Sequence, residues 1–275
     1  MLNKCESRLK SSDPALSSIV SSKIEDGNIK AALRILCSED KPADFTDEAF
    51  ASMQEKHPAR FSDMSSIPDP RSFSSISVSE NEVLKAVRSF PAGSSGGPDG
   101  LRPQHVVDLL ACKTNRPVLL TALTKFVNLV LGGGCPLSVS STFFGARLIA
   151  IDKKAGVFRP IAVGYTLRRL VAKCANNYAQ VKLFDYLSPI QLGVGVSGGC
   201  EAAIHATRRF ISNLSIDSAV VKLHFSNAFN TLRRDAMLNS GSENLPEVYQ
   251  FCHSAYSCQS VLKFGNESDL SCEGV

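Results

Sequence analysis

Apolar residues recur at helical spacing along the front of the chain. Ile24, Ala31, Leu33, Ile35 and Leu36 stripe residues 14–38, and a second amphipathic stretch at 46–56 ends in KHPAR, where Pro58 breaks it. Residues 61–78 lose all periodicity, are rich in Ser and Pro, and read as a linker between a helical region at 1–60 and whatever follows. Ser79 and Glu82 then have capping-box spacing, opening a helix that runs to Phe90. A glycine-rich loop at 91–104 gives way to helices at 104–111 and 116–131, with Pro103 at the start of the first and GGG at 132–134 closing the second.

The period then changes. ARLIAIDKKAGVFRPIAV, 146–163, is two apolar strands joined across a short Ala-Gly turn. A long helix follows to Leu187, with Leu167, Leu170, Val171, Cys174 and Tyr178 on one face. A second glycine loop, QLGVGVSGGC, opens another helix at 200–214. VVKLHF predicts a strand over 218–225, with short helices near 233–239 and 246–257. The stretch from Ser260 reads as strand, Gly-Asn turn and strand. Helices in front and mixed strands behind predict an α+β fold.

Composition narrows the class without deciding it. Of the 275 residues, 44% are hydrophobic and 20% charged, which describes a folded chain. Net charge is only +4, but it is uneven: residues 145–182 hold eight Lys and Arg against the lone acid Asp152. That excess is a candidate footprint for a polyanion. No apolar run is long enough to span a bilayer, so no membrane partner is expected, and MLNKCESRLK leads into no signal-peptide core. Nine cysteines without a Cys-x-x-Cys pair predict reduced, buried thiols and an intracellular protein. Cys252, His253 and Cys258 form half of a zinc pattern with no second half.

Three segments carry candidate chemistry. GVGVSG at 193–198 satisfies Gly-x-Gly-x-x-Gly, yet the preceding YLSPIQL makes a poor buried strand, which argues against a dinucleotide site. Its amides, around Gly195 and Gly198, retain the capacity to approach a phosphate. Lys153, Lys154 and Arg159 surround the hairpin turn, and Arg168, Arg169 and Lys173 follow on the next helix, so one basic surface is expected. His224 closes the predicted strand at a place where two-metal phosphoryl transfer would need a carboxylate. An imidazole is a poor ligand for Mg²⁺.

Taken in order, SSGGPDGLRPQHV, IAIDKKAGVFRPIAVGYTLRRLVAKC, QLGVGVSGGCEAAIHA and VVKLHFSNAFNTLRRD resemble the reverse transcriptase of non-LTR, LINE-type retrotransposons. GNIKAALRILCSED and EKHP are similar to the segment preceding that domain, so the likeness covers most of the chain. The resemblance implies a right-hand polymerase fold over 79–275, with fingers at about 79–217 and the beginning of a palm at about 218–275. It implies RNA-directed DNA synthesis by two-metal nucleotidyl transfer, with an RNA template and DNA primer as partners and Mg²⁺ as the family's cofactor. Lys153, Lys154 and Arg159 would meet nucleic acid and triphosphate, the loop with Gly195 and Gly198 would lie along the template, and Phe229 would be the gate against a ribose 2′-OH.

Two departures alter that expectation. The family writes LDFSNAF where this chain has LHFSNAF, so His224 occupies the position of a metal-binding Asp. The sequence also closes at SCEGV, ahead of the family's QGDPL segment and its Y-x-D-D turn. The expectation is an incomplete palm, no intact metal site and no polymerase activity from this chain. A non-catalytic nucleic-acid-binding module and a non-functional relic of a mobile element are the alternatives.

Overall fold

The computed structural model describes residues 14–37, 41–153 and 157–274. The first amphipathic stretch is two helices, α1 (Pro14–Glu25) and α2 (Ile29–Cys37), because Gly27 turns the chain at φ 71°. Asn28 starts the second, its Oδ1 accepting the Ala31 N–H at 3.1 Å. A two-residue strand, β1 (Lys41–Pro42), precedes α3 (Asp47–Glu55), which Thr46 caps by accepting the Ala49 N–H at 3.2 Å.

Residues 61–78 are packed against the fold and do not hang as a tether. Proline and serine deny this stretch a ladder, yet several of its side chains and backbone groups find partners elsewhere in the fold. The Phe73 ring lies 4.6 Å from that of Tyr249, whose hydroxyl donates to the Pro68 carbonyl at 2.8 Å. The Ile76 N–H donates to Glu247 O at 2.9 Å. The Asn128 side-chain amide bonds both the N–H and the C=O of Val78, at 2.8 and 2.9 Å.

The main core lies among α4 (Glu80–Arg88), α5 (Pro103–Ala111), α6 (Arg116–Leu131) and α7 (Leu137–Phe143), together with the long helix α8 (Thr166–Lys182). Val83, Val87, Val127, Leu131, Leu170 and Val171 are fully buried there. The capping box at the start of α4 forms as its spacing predicts, Ser79 and Glu82 bonding each other's backbone N–H. Three further helices, α9 (Phe184–Leu187), α10 (Gly199–Ser212) and α11 (Arg234–Asn244), lead to α12 (Tyr249–Tyr256), whose Phe251 and Ala255 join the core.

The sheet is mixed. β2 (Ala146–Lys153) pairs antiparallel with β3 (Val157–Gly164) along its whole length. Its other edge takes β1 at Ile151–Asp152 and, in parallel, β4 (Ser260–Phe264) at Ala146–Arg147. β5 (Glu267–Ser271) then pairs antiparallel with β4, giving the order β3-β2-β4-β5. α3 seals one face, where Ala49, Met53, Leu148, Ala150, Leu262 and Phe264 form a second core. The fold is α+β, as the order of patterns predicts.

Two expectations fail. Residues 218–225 form no strand: they run extended and exposed, with Val221 at 76%, Leu223 at 74% and Phe225 at 74% of full accessibility. The apolar alternation is present, but the segment pairs with neither open edge of the sheet, β3 or β5, nor with any other strand among the described residues. Unpaired backbone is then better solvated than laddered. The cysteines also differ from expectation. Among the described residues all are free thiols, but only Cys174 is buried, and Cys37, Cys112, Cys200 and Cys258 are exposed.

Candidate functional site

The HFSNAFN turn is held by Asn227 and Asn230 and not by a strand. Asn227 adopts φ 52°, a left-handed conformation that Asn tolerates better than most residues. From there its amide donates to the Lys56 carbonyl at 2.8 Å, and Asn230 donates to the same oxygen at 3.1 Å. Lys56 in turn uses its ammonium on the carbonyl of Phe158, in β3. One residue at the C-terminal end of α3 thus ties the turn to the hairpin.

Between the tied pieces lies an open cleft of about 860 Å³. Arg159, His224 and Phe229 all line it, with Glu55 as its one carboxylate among the described residues. Phe229 is 77% exposed, so its ring is free to cover a ligand. His224 is exposed and makes no hydrogen bond or ion pair among the described residues.

The turn is backed from behind. The Gly274 N–H donates to Leu232 O at 3.0 Å, and Gly274 lies so close to Phe229 and Asn230 that a Cβ would fall 2.5 Å from the Asn230 Cα. Arg234, 2% exposed, fixes that approach by donating to Gly274 O at 2.9 Å, Cys258 O at 3.0 Å and Ser271 Oγ at 2.9 Å. Burial pulls its guanidinium pKa down from the usual value. Glu273 accepts from Phe61 N, Ser62 N, Ser62 Oγ and Arg234 N at 2.6–3.1 Å. Burial alone would raise its carboxyl pKa, but these bonds outweigh it and leave a net lowering. Asp235 is also held well below the usual carboxylate range, first by Arg233.

A hard divalent ion wants several anionic oxygen donors, and among the described residues the cleft is lined by a single carboxylate, Glu55, beside the side-chain oxygens of Ser226, Asn227 and Asn230 and the His224 imidazole. Among the described residues no group of three or more His, Cys, Asp and Glu side chains is placed to hold a metal.

The remaining expected site residues are dispersed. Lys153 ends β2, and Lys154 lies outside the described residues. Arg168 and Arg169 sit at the opposite end of the hairpin from Arg159. Gly164 lies five positions along β3 from Arg159, about 17 Å of strand. Arg168 packs on Gly164, while Arg169 donates to Ser95 O at 2.7 Å and stacks over Phe90. The single basic surface is therefore two separate ones. Gly195 and Gly198 both take positive φ, at 70° and 67°, and shape the loop before α10 without lining the cleft. In that loop it is Gly199 whose lack of a side chain matters most, since a Cβ would meet Leu192 O at 1.8 Å.

Lys56, Asn227 and Asn230 are the residues that sequence reasoning passes over. Their signal was EKHP, read as a helix end, and the turn-prone SNAFN. No model of a known protein family matches the chain, and neither does any curated protein.

Proposed function

We propose that the chain is a reverse-transcriptase-like domain of non-LTR retrotransposon descent that binds nucleic acid and nucleotide without polymerising. The observation that carries this reading is the convergence of Arg159, His224 and Phe229 on one cleft. The resemblance gives those three residues to triphosphate contact, the metal-binding position and the sugar gate, and they come from segments 65 residues apart in sequence. In this reading residues 79–217 are fingers, 218–275 belong to the palm, and the partners are an RNA template and a DNA primer. Arg159 supplies a forked donor for phosphate oxygens, and the exposed Phe229 ring supplies a stacking face.

Chemistry is absent from the reading because His224 stands where the resemblance expects a carboxylate and, among the described residues, Glu55 is the lone carboxylate lining the cleft. Two-metal transfer needs anionic oxygens to hold both ions against the attacking and leaving groups. For the same reason His224→Asp restores no synthesis.

The full chain should bind a fluorescent deoxynucleoside triphosphate, with affinity reduced by about tenfold in Arg159→Gln, the loss of one charge-assisted contact. Primer extension on an RNA template with Mg²⁺ or Mn²⁺ should yield no product. Template-dependent product would refute the inactive assignment, and nucleotide binding insensitive to both Arg159→Gln and Phe229→Ala would refute the cleft.

A further inference from the structure

The glycine-rich loop at 91–102 takes no part in the cleft, and its packing is unusually exacting. A Cβ on Gly97 would lie 2.7 Å from the Tyr165 Cα, and one on Gly96 would lie 2.7 Å from Gly100 O. Gly93 and Gly100 have φ of 70° and 72°. The loop is held from two sides: Lys23 Nζ donates to Gly93 O at 2.8 Å and Asn28 to Ala92 O, while Arg169 donates to Ser95 O at 2.7 Å. Loops this bare of side chains let backbone amides come close to a ligand.

Beside it is a separate concavity of about 270 Å³. Its charged lining is Lys23 from α1, Arg102 from the start of α5 and Arg147 from β2, set around Gly96 and Gly97, and no acid among the described residues lines it. Of the acids nearby, Asp99 accepts the Leu101 N–H at 3.1 Å, and Asp26 stands with Lys23 Nζ beside Gly93 without lining the concavity. Three cations from three distant parts of the chain thus converge on one small space. Like charges repel, and such convergence is relieved when an anion sits between them.

We infer that this concavity is a second anion site, distinct from the Arg159 cleft, and that it takes a phosphate group of single-stranded RNA. Arg102 and Arg147 offer forked donors, while Lys23 adds a point charge with hydrogens left over from its bond to Gly93. The site gives helix α1 a task in binding as well as in packing. That the phosphate belongs to RNA rests on the function proposed above, whereas the anion site itself does not.

The test uses the full chain, fluorescein-labelled oligouridylate across a range of salt concentrations, and inorganic phosphate in a thermal-shift assay. The variant Arg102→Gln/Arg147→Gln keeps the Lys23–Gly93 bond and replaces only surface-facing groups, and circular dichroism verifies its fold. It should bind RNA about tenfold more weakly and flatten the salt dependence by about 0.7 in log–log slope, the value for one phosphate of a single strand. It should also lose the stabilisation by inorganic phosphate, and in RNA binding its effect should add to that of Arg159→Gln. Stabilisation by phosphate that depends on Arg102 and Arg147, without RNA binding by the native chain, supports the anion site and removes RNA as its ligand. RNA affinity, salt slope and phosphate response all unchanged in the double variant overturn the proposal.

Discussion

Replacing Arg234 by Met tests whether the back wall of the cleft is organised by one buried guanidinium. The side chain donates to Gly274 O, Cys258 O and Ser271 Oγ, and its guanidinium lies 5.5 Å from the centre of the Tyr256 ring. Methionine keeps most of the volume and the apolar contact, but strands the buried Gly274 carbonyl and the part-buried Cys258 carbonyl. Each unsatisfied group costs about 1–3 kcal/mol, and relief from burying a charge offsets part of the total. A net loss of about 3 kcal/mol is expected, against a total stability of about 5–15 kcal/mol for folded domains. At about 2–4 °C per kcal/mol the melting temperature should fall by about 6–12 °C. The chain has no Trp, so urea unfolding followed by far-ultraviolet circular dichroism is the suitable assay. Arg234→Lys should recover little, since an ammonium cannot reproduce the forked reach to acceptors at Cys258, Ser271 and Gly274. A loss under about 1 kcal/mol for Arg234→Met at unchanged m-value would refute the idea that these bonds outweigh the cost of burying the charge.

Acid should destabilise the fold in two stages. Desolvation lowers the pKa of His253 below its usual 6.5, so the unfolded chain takes up that proton first and stability begins to decline below pH 6.5. Asp235 and Glu273 have pKa values below 3.8 and 4.5, so their contribution is complete above pH 4.5 and is lost as pH falls through the folded-state values. Urea midpoints measured from pH 8 to pH 3 should show both stages, the first absent in His253→Gln and the second reduced in Glu273→Gln. At the HFSNAFN turn, Asn227→Gly should cost about 1 kcal/mol for its bond to Lys56. Asn227→Ala should cost about 2 kcal/mol or more, because alanine must also hold φ 52°. If alanine proved the milder change by thermal unfolding, the left-handed conformation at 227 would be wrong.

Much of the fold is legible because its signals are local. The Ser79–Glu82 pair, Pro103, the GGG closing α6 and the alternation on either side of the 146–163 turn each act within a few residues, and each gives the element it predicts. The segment at 61–78 makes long-range contacts that are not legible, for the opposite reason. Its partners Tyr249, Glu247 and Asn128 lie about 50 to 180 residues away, and lack of periodicity says nothing about such contacts. Gly27 also splits a stripe that looks continuous, since period alone does not register one residue with positive φ.

The site divides along the same line, and 218–225 shows why. A strand is a property of a pair: alternating Val221, Leu223 and Phe225 specify which face should be buried, but not what should lie beside them. With no strand paired to it among the described residues, the segment stays exposed up to Asn227, where side-chain amides find Lys56. His224, Phe229 and Arg159 therefore meet through a lysine carbonyl and a lysine ammonium, neither of which any motif marks. The motif residues name the chemistry, and Lys56 sets the distance between them. The basic residues obey the same logic: Arg168 and Arg169 follow Arg159 closely in sequence, yet the length of β3 carries them to the opposite end of the hairpin. There, Arg169 supports a loop whose charged companions, Lys23, Arg102 and Arg147, come from sequence positions that no spacing rule connects.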